Sequence, residues 1–114
     1  MAADLATQNE RLNMNIPSHM RYCRSKTLTL TPWRYANGAL AIRAVDADTG
    51  EPIAVLTVNL PDIKLAPGDV LIKDYAENEG ALETLLQAGV VEALEVIPCG
   101  YAEVIRCRLL KEIS

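Results

Sequence analysis

Three thiols and one imidazole, Cys23, Cys99, Cys107 and His19, are the side chains from which a nucleophilic site could be assembled. A cysteine nucleophile needs a base within hydrogen-bond reach. His19 stands far from Cys99 and Cys107, in a stretch with no sustained apolar period, so the spacing supplies no Cys–His pair. The cysteines form an odd set without a C-x-x-C spacing, which argues against a disulfide framework and a four-ligand zinc site. Pro98-Cys99-Gly100 puts Cys99 at a tight turn, where a half-buried thiol is expected. Gly-rich phosphate loops and nucleophile elbows are also missing. The residues therefore point to a non-enzymatic protein, with no catalytic residue, metal ligand or cofactor assigned.

Carboxylates concentrate at Asp74, Glu77, Glu79 and Glu83, with no Lys or Arg between them and with Tyr75 and Asn78 interleaved. Acidic residues at a helix start complement the positive end of its dipole. On a surface, the same cluster can meet a basic groove of a partner. The spacing is not that of a calcium loop. Asp74, Tyr75, Glu77, Asn78 and Glu79 are accordingly read as a partner-binding segment, with Trp33 as an accompanying interface anchor. The alternative is a small-ligand or enzyme site in which Asp74, Tyr75 and Glu77 line a pocket between helix and sheet. Trp33 with Arg34, Tyr35 and Lys26 could also stack a nucleic-acid base.

Charge weighs on these readings. The chain of 114 residues carries a formal −4. Residues 1–26 hold Arg11, Arg21, Arg24 and Lys26 against Asp4 and Glu10, a balance of +2, which leaves −6 on the rest. An acidic body repels phosphates, so nucleic acid is disfavoured as a partner except weakly, through the basic N-terminal stretch. The apolar runs are far shorter than the roughly 20 residues that span a bilayer. No apolar segment follows a basic start, which points to the cytoplasm and away from the membrane.

The elements that must position these residues follow from periodicity. Residues 1–25 offer little to bury and are expected to form a flexible arm ahead of a single domain over 26–114. Thr27-Leu28-Thr29-Leu30-Thr31 alternates as a strand that Pro32 should stop. Asn37-Gly38 signals a hairpin turn in which both residues take positive φ, leading into a second strand over 39–45. Asp46 to Gly50 supplies the next turn, with a third strand over 53–58. Val70-Leu71-Ile72 is a fourth extended segment after Pro67-Gly68.

Leu82, Leu85 and Leu86 recur at helical spacing. Asp74 or Asn78 is available to cap that helix, and Gly89 stands at its end, about three turns on. Residues 90–97 and 101–109 close as a hairpin. The fold class is α+β, an antiparallel sheet of meander plus C-terminal hairpin with one amphipathic helix on one face, in the order β-β-β-(β)-α-β-β. With no Phe and one Trp, its core must be aliphatic. Pairing of two copies through an exposed sheet edge fits a meander of this size.

Three stretches carry a resemblance: Tyr35-Ala36-Asn37-Gly38, Leu56 to Pro61, and Leu71 to Gly80, with Cys107 to Leu110 closing the match. Together they resemble a family of short bacterial proteins with a domain of unknown function, often carried on plasmids and integrative mobile elements. The resemblance implies a context rather than a chemistry. It suggests a compact acidic protein that binds a host or element protein, for example an inhibitor of a host defence complex of the anti-CRISPR or anti-restriction type.

Overall fold

The computed structural model describes residues 15–111. They form seven strands, β1 (Asn15–Pro17), β2 (Thr27–Arg34), β3 (Leu40–Asp46), β4 (Pro52–Val55), β5 (Asp69–Lys73), β6 (Val91–Cys99) and β7 (Ala102–Leu109). One α-helix, α1 (Ala81–Gln87), follows a 3-10 turn over Ala76–Asn78. The class is α+β with antiparallel pairing, as the periodicities require. The strands divide into two sheets, one in the order β1-β2-β3-β4 and one in the order β5-β7-β6.

Alternation along β2 turns Leu28 and Leu30 inward to full burial and leaves Thr27, Thr29 and Thr31 outward. The second sheet does the same with Val70, Ile72 and Cys107. These inner faces share one apolar cluster with Leu56, Val91 and, from α1, Ala81 and Leu85. Each buried Leu or Ile contributes roughly 1.5–3 kcal/mol. The aliphatic composition therefore suffices for a core with no Phe in it.

Several expectations are corrected. Residues 15–25 are not an arm: β1 pairs with β2, with Ile16 opposite Leu28, and Ile16 and Met20 are buried at 2% and 5% exposure. Two apolar anchors plus ladder bonds outweigh the lack of any periodicity in so short a segment. The remainder of the expected arm, residues 1–14, lies outside the described residues.

Pro32 does not end its strand, and β2 continues to Arg34. Tyr35 N–H donates to the Ala39 carbonyl, so the N–H groups bonding to β3 fall on odd-numbered residues. The Pro32 nitrogen therefore faces the other edge. There β1 covers only Thr27 to Thr29, so the missing N–H costs no ladder bond.

The Asn37-Gly38 turn has positive φ at Gly38 but not at Asn37. Gly38 N–H donates to the Tyr35 carbonyl, and a longer loop closes through the Tyr35–Ala39 bond. β4 ends at Val55 rather than at 58 because the chain crosses between sheets. Leu56 N–H donates to Ile42 in the first sheet, while its carbonyl accepts from Lys73 N–H in the second.

The helix is shorter than expected, about two turns. Gly80, at φ 98°, separates it from the 3-10 turn. Gly89, at φ 69°, ends it, and Val90 N–H reaches back to the Leu85 carbonyl.

Candidate functional site

The acidic segment follows β5 and is built by its own side chains. Asp74 Oδ1 accepts from the N–H groups of Gly80 at 3.1 Å and Leu82 at 2.9 Å, satisfying two donors at the start of α1. Asn78 is 1% exposed, and its Nδ2 donates to the Val55 carbonyl at 2.7 Å, tying the segment to the first sheet. Glu79 pairs with Arg21 at 3.0 Å, and its carbonyl accepts from Arg21 N–H. Asp74, Asn78 and Glu79 thus hold the segment in place.

Tyr75, Ala76 and Glu77 are what the segment presents. Ala76 has φ 53°, the left-handed region that costs a side-chain-bearing residue about 1–2 kcal/mol. Ala76 and Glu77 are exposed and Tyr75 is half-buried. Lys73 Nζ lies 5.3 Å from the centre of the Tyr75 ring and donates to Glu77. That hydrogen bond, with one from the backbone N–H of Glu77 itself, holds the Glu77 carboxyl below its ordinary pKa. Being exposed, the carboxylate stays hydrated and ionised.

Trp33 belongs to a different group. It projects from the outer face of the first sheet, edge-on to Tyr35 at 5.7 Å, with the Arg43 guanidinium 5.4 Å from its ring centre. Tyr35 Oη reaches Thr57 at the sheet crossing, and Arg34 donates to the Gly38 carbonyl. The aromatic and cation contacts of Trp33 are with Tyr35 and Arg43, while Asp74 to Glu79 form one contiguous segment.

The thiols and the histidine stay apart in character. Cys107 is fully buried, and burial, followed by the charges of Asp69 and Asp74, pushes its thiol up to about 12. A thiol so neutral is no nucleophile. His19 is exposed, and its backbone N–H donates to Thr84 Oγ1 at 2.8 Å. Among the described residues no cluster of three or more His, Cys, Asp or Glu could hold a metal ion, and no helix is long and apolar enough to cross a membrane.

Sequence reasoning missed a second locality. Arg106 on β7 bridges two carboxylates, Asp69 Oδ2 at 3.0 Å and Glu95 Oε2 at 2.5 Å. Asp69 borders a cleft of about 540 Å³ between the turn after β2, the 58–68 loop and the start of β5. Asp74, Tyr75 and Glu77 are not among the residues that line this cleft. The available signal was the alternation Arg106-Cys107-Arg108, which sets two cations on one face of a strand. Locating their partners requires the register, in which Asp69 stands opposite Arg108 and Leu71 opposite Arg106. The chain matches no protein-family model, no curated protein and no solved structure.

Proposed function

We propose that the protein is a non-enzymatic interaction module that presents the turn Tyr75-Ala76-Glu77 to a protein partner. The observation that supports this reading is the left-handed Ala76, held at an exposed tip by Asp74 on one side and Asn78 on the other. A strained exposed residue fixed by hydrogen-bonded neighbours is a preorganised contact, because little ordering entropy remains to be lost on binding. The charge at the tip, Glu77 beside an aromatic ring, suits a basic partner surface. A host or mobile-element protein, such as a component of a defence complex, is the partner class that the resemblance suggests.

Glu79 takes part through its position rather than its charge, since Arg21 already pairs with it. The test is affinity capture from a bacterial lysate with the wild-type chain, with Glu77→Lys and with Tyr75→Ala. All three should fold, because the altered side chains are not in the core. A stoichiometric protein held by the wild type and lost by both variants is the expected result. A protein retained equally by all three would overturn the assignment of the tip.

A further inference from the structure

Asp69 opens β5 with its side chain 2% exposed, and its two oxygens differ. Oδ2 accepts from Arg106, whereas Oδ1 is buried with no hydrogen-bond partner among the described residues. A buried carboxylate oxygen without a donor is costly, and native structures leave few of them. The open volume that Asp69 borders is the cleft of about 540 Å³, a size suited to a small organic ligand.

The lining states what that ligand must look like. Leu60, Ile63, Leu65 and Leu71 give the cleft an apolar wall, and Arg34 and Lys111 also line it. Arg106 is shared by buried Asp69 and half-exposed Glu95, so the Asp69 carboxylate has only part of one guanidinium to answer its charge. Arg34 spends one N–H on the Gly38 carbonyl and keeps its full charge, and with Lys111 it places positive charge on the same cleft of an otherwise acidic protein.

We propose that this cleft binds a small zwitterion with an apolar side chain, the chemistry of an aliphatic amino acid. Its ammonium donates to Asp69 Oδ1 once the Asp69 carboxylate turns that buried oxygen toward the cleft, and its own carboxylate is set toward Arg34 and Lys111. An ammonium supplies the missing donor and the rest of the charge that answers Asp69. A ligand with an amine alone leaves the two lining cations unanswered, and one with a carboxylate alone leaves Oδ1 orphaned. The site is independent of the Tyr75-Ala76-Glu77 tip, so either can fail without the other.

The experiment is a titration of the full chain, followed by backbone amide NMR and calorimetry, with leucine, 3-methylbutylamine and 4-methylpentanoate as probes. Leucine is expected to shift the amides of Asn59, Gly68 and Asp69, and both single-charge analogues to bind about tenfold or more weakly, as loss of a charge-assisted hydrogen bond implies. Asp69→Asn should weaken leucine by a similar factor. Ile63→Trp fills the cleft without touching the Asp69–Arg106 pair and should abolish binding even if Asp69→Asn proves unstable. Absence of any cleft shift at millimolar leucine overturns the proposal. Equal binding of 4-methylpentanoate, or undiminished leucine binding by Ile63→Trp, does so as well.

Discussion

Gly80 lies directly against the backbone of His19: a Cβ placed on Gly80 would sit 2.1 Å from the His19 carbonyl oxygen and 2.7 Å from the Met20 Cα. Around this approach, Arg21 N–H bonds to the Glu79 carbonyl, and Thr84 Oγ1 accepts from His19 N–H while donating to the Gly80 carbonyl. The segment after β1 is thereby locked to the start of α1, beside the acidic turn.

Gly80→Ala should consequently be severe. The methyl group meets backbone rather than a flexible side chain, and φ 98° is itself hostile to alanine. Overpacking and the backbone penalty together predict a loss of about 2–4 kcal/mol. Urea denaturation measures it, and hydrogen exchange should show the His19 and Arg21 amides losing protection first. A loss below about 1 kcal/mol would mean that the two segments separate at little cost.

At the tip the opposite sign is expected. Ala76→Gly removes a left-handed penalty of about 1–2 kcal/mol and adds back roughly 0.5–1 kcal/mol of chain entropy, a net stabilisation near 0.5–1 kcal/mol. The urea midpoint should rise while capture of a partner weakens, because glycine loosens the turn that alanine holds. Unchanged or lower stability would show that Ala76 stores no strain.

Asp46 offers a pH test. Its carboxyl sits below its ordinary value of 3.8, chiefly because Ser25 Oγ donates to it, with the N–H groups of Thr49 and Asp48 adding to the effect. A depressed folded pKa stabilises the protein above 3.8, and that contribution disappears as pH falls through the lower, folded value. Ser25→Ala should raise the Asp46 pKa, read by NMR titration of its carboxyl carbon, and should shrink the acid-side loss of stability. An unmoved titration would assign the shift to the two backbone donors.

Cys107 behaves in the alkaline range. Between 9.0 and about 12 the unfolded thiol ionises while the native one does not, so the unfolded state binds fewer protons and stability falls as pH rises. At mildly alkaline pH, iodoacetamide should label the half-exposed Cys23 and Cys99 in the native protein and reach Cys107 on unfolding alone. Native labelling of Cys107, read by peptide mass spectrometry, would contradict its burial.

Local rules carried much of this architecture. The Thr-Leu alternation of β2, the helical spacing at Leu82–Leu86 and the Gly89 stop each express a period or a φ requirement contained within a few residues. The structure follows them, except that α1 turns Ala81, Thr84 and Leu85 inward and leaves Leu86 exposed. Asp74 was legible as a helix cap for the same reason, since it needs only the donors of the next turn.

What tertiary structure decided is every feature whose partner is distant in the chain. Asn15–Pro17 has no period to read, and it becomes a strand because β2 has an open edge and the core has room for Ile16 and Met20. Asn78, a cap candidate and partner-binding residue by sequence, is instead buried, because Val55, 23 residues away, supplies the carbonyl to which its side chain donates. The Asp69–Arg106 pair, the cleft beside it and the glycine at position 80 depend likewise on strand register and on two backbones meeting, which only packing sets. Side-chain period and turn chemistry are properties of neighbours along the chain, whereas burial and pairing belong to neighbours in space.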